Sequence, residues 1–256
     1  MHYLCTLNRN PALHAFSTET DFFEAPSQML ENWCYDPRVL RLLTAHPETG
    51  EPLPEAIAVK LQKIKRSGEV IEALRQLVLA SFDLEIHSAT NATEAKIDLK
   101  ALYQTIQQRI RPVPSLPQEC FAAVFEHIVG GYDVGYYGYM MSNTYALDMY
   151  QTKFAANPFD PVAGAEYREK ILAPGATRDG IDLLKGFLGR PPRMDAFFDA
   201  FGFTGGEQKE AKSESLSTAD NKRKAPYFFR DRQPQTNVGQ TLQKEETLGK
   251  RVKVKQ

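Results

Sequence analysis

The chain is poor in the residues that would cross-link it or seat it in a membrane. Its 256 residues include only three cysteines, Cys5, Cys34 and Cys120, odd in number and widely spaced. That excludes a disulfide framework and suits reduced thiols in a cytosol-like compartment. No stretch approaches the roughly 18 apolar residues of a membrane-spanning helix, so no membrane partner is expected. The first residues, Met1-His2-Tyr3-Leu4-Cys5, have neither the basic start nor the apolar run of a secretory signal. The sequon Asn91-Ala92-Thr93 is therefore expected to stay unmodified. Repeats, collagenous patterns and coiled-coil heptads are absent.

The near-neutral total, 31 basic against 32 acidic residues, conceals an asymmetry. Residues 207–256 hold 12 of the basic and 7 of the acidic side chains, so a tail of net charge +5 follows a body of net charge −6. The tail is rich in Lys, Glu, Ser, Gln and Thr, with Tyr227-Phe228-Phe229 its only aromatic island. Such a segment buries too little surface to offset the entropy of ordering, which predicts a disordered basic tail over 205–256. Its short basic runs, 221–224 and 250–255, are weak evidence for nucleic acid, and no nucleic-acid partner is expected.

The body reads as all-α. Phe22, Ala25, Met29 and Trp33 recur at helical spacing over 21–34, with Pro26 marking an early turn or a kink. Pro54 opens a second helix at a favoured first position, and Ser67-Gly68 punctuates it before a third over 69–86. Residues 96–111 follow, ended by Pro112, Pro114 and Pro117. Further helices are predicted over 136–154, 161–172, 178–188 and 193–201.

Two regions could carry chemistry. Glu24 closes an acidic run, Glu19-Thr20-Asp21-Phe22-Phe23-Glu24, and Glu31 lies two helical turns on. Acids at a helix start are ordinary partners of the helix dipole, so this cluster alone argues little for a metal. The second region, 127–139, places four glycines and four tyrosines behind His127. Glycine lets backbone approach a ligand, and tyrosine and histidine can steady a developing oxyanion. The same tyrosines could equally be core residues with satisfied hydroxyls.

Longer motifs favour the first reading. Phe16-Ser17, residues 19–33 from Glu19 to Trp33, Gly130-Gly131-Tyr132-Asp133, Tyr136-Tyr137-Gly138-Tyr139, Tyr145 and Asp148-Met149 resemble the thimet oligopeptidase, neurolysin and saccharolysin family. So do Tyr167-Arg168, Pro174-Gly175, Phe187-Leu188-Gly189-Arg190 and Asp195-Ala196-Phe197, in unbroken order over about 1–203. The resemblance implies the multi-helical C-terminal part of a two-lobed zinc metallopeptidase, spanning residues 1–204, that cuts short peptides in a deep channel. It implies Glu24 as the carboxylate zinc ligand. His127, Tyr132, Tyr136 and Tyr139 would contact substrate and stabilise the tetrahedral intermediate.

One departure weighs against activity. The family holds zinc with two histidines of an HExxH helix, whose glutamate is the general base, and no HExxH occurs in this sequence. Met1-His2 aligns just after that motif, so His2 is not the expected ligand. Leu172-Ala173-Pro174-Gly175-Ala176 also replaces the family's usual Leu-Arg-Pro-Gly-Gly. The expectation is a truncated stretch of a peptidase, inactive by itself, that needs the preceding lobe or another chain for stability. The alternative is a non-catalytic peptide-binding or regulatory module. A cytoplasmic location is expected, with the mitochondrial intermembrane space as the alternative.

Overall fold

Every regular element is helical among the described residues of this computed structural model, which are 2–88, 97–111, 118 and 120–202. The expectations for the basic tail, the three prolines and the sequon fall outside them. In chain order the helices are α1 (His2–Cys5), α2 (Thr20–Phe23), α3 (Ala25–Glu31), α4 (Pro37–Leu43), α5 (Glu55–His87) and α6 (Leu99–Ile110). Then follow α7 (Gly138–Lys153), α8 (Pro161–Tyr167), α9 (Gly180–Leu188) and α10 (Asp195–Ala200), with short 3₁₀ turns between several of them. The all-α expectation holds.

Two boundaries differ from the periodicity. The helix predicted over 21–34 is three pieces: α2, α3 and a 3₁₀ turn, Asn32–Tyr35. Pro26 lies in the first turn of α3, where its missing N–H costs nothing, but it cannot continue a helix already under way. The chain therefore restarts at Glu24, which caps the end of α2 and the beginning of α3. Conversely, Ser67-Gly68 does not punctuate anything, because α5 runs through it for 33 residues. A glycine costs a helix only about 1 kcal/mol. Starting a second helix would mean repeating the unfavourable nucleation step. Lys65–Glu69 and Glu72–Arg75 pairs line this middle stretch.

The apolar residues form two clusters. One joins Phe22, Ala25 and Met29 to Ala146, Met149, Phe154, Tyr167, Ile171, Leu183, Leu184 and Phe187, so α2 and α3 pack on α7, α8 and α9. The other joins Val78, Leu79 and Phe82 of α5 to Tyr103 and Ile106 of α6, and to Phe125 and Tyr136. Helix α7 and the segment leading into it lie between the two.

Close contacts lock the first cluster. A Cβ on Gly180 would meet Phe22 Cγ at 2.4 Å, and the Gly180 amide donates to both Glu19 oxygens at 3.2 Å. The Tyr167 hydroxyl donates to the Pro26 carbonyl at 3.2 Å. Asp148, 3% exposed, accepts from Arg190 Nη2 at 2.6 Å, Arg190 Nη1 at 2.8 Å and the Arg193 amide at 2.8 Å. Burial pushes the Asp148 carboxyl upward. Arg190 and the Arg193 amide outweigh it and hold the group below its ordinary value.

Gly180→Ala should lower the unfolding free energy by about 2–3 kcal/mol through overpacking against Phe22. Gly186→Ala, on the same helix with nothing within 4 Å of the new Cβ, should raise it by about 1 kcal/mol. Denaturant midpoints of the two variants check both signs. A carboxylate with a depressed folded pKa stabilises fully at neutral pH and loses that contribution as pH falls below about 4. Asp148→Asn should therefore cost about 2 kcal/mol at pH 7 and progressively less towards pH 2, read from urea unfolding across that range.

Candidate functional site

Glu24 owes its place to the break between α2 and α3. Its neighbours Phe22 and Ala25 are buried in the first cluster, 1% and 0% exposed, which fixes the backbone while the carboxylate stays half-buried. Ser27 Oγ donates to Glu24 Oε2 at 3.1 Å. From 108 residues further along the chain, the Tyr132 hydroxyl donates to Glu24 Oε1 at 3.3 Å.

The segment 126–137 brings the aromatic residues to that carboxylate. A 3₁₀ turn, Glu126–Val129, is followed by Gly130 and Gly131, the latter at φ +94°, where a side chain would be strained. The amides of Gly130 and Tyr132 both donate to the His127 carbonyl, at 3.2 and 3.1 Å. This folds Tyr132 back over His127. The rings of Tyr132 and Tyr139 stack with centroids 5.2 Å apart and planes at 12°. The His127 ring meets Tyr132, Tyr136 and Tyr139 edge-on at 5.5, 5.2 and 5.9 Å.

All four loop residues implied by the resemblance thus share one cluster, and Tyr132 ties it to Glu24. They are not equivalent. Tyr136 is 4% exposed and belongs to the second apolar cluster. It occupies the core position that the sequence left open. Tyr132, Tyr139 and His127 are half-buried. Burial pushes the Tyr132 and Tyr136 phenols up. Tyr139 is pushed up most, by burial first, then by its hydrogen bond with Tyr132 and the charges nearby. At neutral pH these phenols keep their protons and act as donors.

Glu31 does not join Glu24. Glu24 lines a cavity of ≈ 280 Å³ with His2, Phe16, Phe23 and Ser27. Glu31 lines another, of ≈ 220 Å³, beside Tyr139, Glu72 and Asn143. The break at Glu24 ends the two-turn register that would have put both on one face. His2 Nε2 is buried without a partner, and burial lowers that group's pKa. Among the described residues no three His, Cys, Asp or Glu side chains come together as a metal would require.

Sequence reasoning missed Asp83. Its side chain is fully buried on α5 and accepts the amides of Val134 and Tyr136, both at 3.0 Å. The available signal was an acid directly after the apolar run Val78, Leu79, Ala80 and Phe82, on the buried side of α5.

Comparison with known proteins places the sequence among peptidases. The family model for peptidase family M3 matches residues 1–203. Oligopeptidase A of Salmonella typhimurium is 32% identical over 207 residues, covering 80% of this chain and 30% of that protein. Saccharolysin of Saccharomyces cerevisiae is 36% identical over 189 residues, covering 73% of this chain and 26% of its own. Mitochondrial intermediate peptidase of Rattus norvegicus is 30% identical over 200 residues, 78% of this chain and 28% of that protein. The chain spans less than a third of the length of these relatives. With a match across the whole described body, the chain belongs to peptidase family M3.

Proposed function

We propose that this chain supplies the substrate-facing part of a zinc oligopeptidase, and that by itself it binds short peptides without cutting them. The observation that carries this reading is the Tyr132–Glu24 hydrogen bond. It puts a cluster of protonated phenols beside the carboxylate that the family resemblance makes a metal ligand.

The fit to zinc is partial. Glu24 offers a half-buried carboxylate with one oxygen held by Ser27 and the other by Tyr132. A zinc hydrolase site takes three protein ligands and a water. This chain's residues provide one such ligand and no HExxH, so no hydrolytic step is derived through the metal. When bound, zinc would supply a polarised water and an electrophile for the peptide carbonyl.

The rest is the work of the loop. Tyr132 spends its one proton on Glu24 and Tyr139 shares a hydrogen bond with Tyr132, so they become donors to a peptide carbonyl, or to the oxyanion formed from it, by turning their hydroxyls from these partners. Their raised pKa values keep those protons in place. His127 presents a ring edge to the same side, and Tyr136 backs the cluster from the core. A segment bearing HExxH, joined in the same chain or supplied by another, would complete the catalytic site. Large exposed apolar side chains, Leu4 and Leu7 at 85% and 77% exposure among them, suit burial against such a neighbour. No helix among the described residues is long and apolar enough to cross a membrane. The free thiols Cys5, Cys34 and Cys120 suit a reducing compartment, with the cytoplasm favoured over the mitochondrial intermembrane space.

The chain with added zinc should leave an internally quenched fluorescent peptide intact while binding it measurably by calorimetry. Tyr132→Phe and Tyr139→Phe should each weaken that binding by about tenfold, the worth of one lost hydrogen bond. Cleavage by the purified chain, or no binding at all, would reject the proposal.

A further inference from the structure

We propose that Asp83 is the positioning residue of the tyrosine loop, a buried carboxylate that sets where Tyr132, Tyr136 and Tyr139 stand relative to Glu24. The inference rests on the reading above for what the loop does, but not for what holds it.

The Asp83 side chain is 0% exposed, and each of its oxygens is engaged. Oδ1 accepts the Val134 amide at 3.0 Å, and Oδ2 accepts the Tyr136 amide at 3.0 Å. His87, one turn further along α5, brings Nδ1 to 3.0 Å from Asp83 Oδ1 and 2.8 Å from the Asp83 carbonyl. Both of those neighbours are acceptors, so Nδ1 carries its proton and completes the clamp.

What the clamp holds is a strained backbone. Val134 sits at φ +62°, the only positive φ of a non-glycine residue among the described residues. For a β-branched residue this left-handed conformation is costly, and it persists only where the surroundings impose it. Between the two clamped amides, Gly135 is pressed against α2, where a Cβ would meet Thr20 Cγ2 at 3.2 Å. The loop is thus gripped between the Asp83 carboxylate and Thr20. Tyr132 lies two residues before the first grip, Tyr136 carries the second, and Tyr139 follows three residues later in the first turn of α7. Ordinary burial of an aspartate would not require this choice of partners. The two amides Asp83 selects are those that fix the direction of the loop at its strained residue and its exit into α7.

The test needs no substrate, so failed peptide binding would leave it standing. Amide exchange by NMR on the unaltered chain should show Val134 and Tyr136 exchanging at least tenfold more slowly than exposed Gly131. Equal rates would overturn the proposal. Asp83→Asn keeps the shape but offers one acceptor oxygen and turns an NH2 towards the other amide. It should speed exchange at one of these two positions by about tenfold, an effect typical of a lost hydrogen bond. The upfield ring shifts of stacked Tyr132 and Tyr139 should move with it, while amides around Phe22, Met29 and Leu183 stay protected. Val134→Asn, which tolerates a left-handed backbone better than valine, should restore part of the ring shifts in the Asp83→Asn background. Ring shifts unmoved by Asp83→Asn would overturn the proposal. So would loss of protection throughout the core, or a variant that fails to fold, because a positioning residue leaves the core intact.

Discussion

Where α7 begins, a Cβ on Gly138 would come within 2.6 Å of the Thr20 carbonyl oxygen. That close crossing lets α7 lie directly on α2 and α3, with Ser142 Oγ donating to the Asp21 carbonyl at 2.9 Å one turn later. Met149 and Ala146 then reach Met29 and Ala25 in a shared core. The candidate site depends on this geometry from both sides. Glu24 is carried by the α2–α3 segment, Tyr139 by the first turn of α7, and the glycine at their crossing decides how near they stand. Any larger side chain there would push the loop away from the carboxylate.

Buried carboxylates do the fine placement. Asp148 gathers Arg190, Thr152 and the Arg193 backbone, which docks the chain after α9 onto α7. Asp36 accepts from Arg38 and from the Tyr150 hydroxyl, and Arg38 in turn donates to the Ala155 and Ala156 carbonyls beyond the end of α7. Arg38 holds the Asp36 carboxyl below its ordinary value against the opposing effect of burial. Asp83 does the same service for the tyrosine loop. In each case a polar group removed from water is matched by several donors, the condition under which burying it is tolerable. Exposed pairs such as Arg41–Glu55 and Lys185–Asp182 contribute little by comparison.

Much of the fold was legible because helix periodicity is a local property. The spacing of Phe22, Ala25 and Met29 identified a buried face, and α6 to α10 fall within a few residues of their predicted spans. The misreadings are local conflicts settled by neighbours. Pro26 was visible, but whether it bends a helix or restarts one depends on what packs around Glu24. Gly68 looked like an interruption, but the good helix formers on either side carry α5 through it.

The site divides in the same way. Composition and order alone determined that residues 127–139 combine backbone freedom with phenolic donors, and that Glu24 stands in a segment of family character without HExxH. Only the tertiary structure decided which tyrosines face the carboxylate and which one is core. Tyr132 and Tyr139 stack beside Glu24, whereas Tyr136 is buried against Phe125 and α5. Hydrogen bonds spanning 108 residues for Tyr132–Glu24 and 51 and 53 for the Asp83 clamp leave no periodic trace in the chain. Periodicity reports which face of an element is buried. Which residue meets which across a loop is set by the packing of α5 and α7 around it.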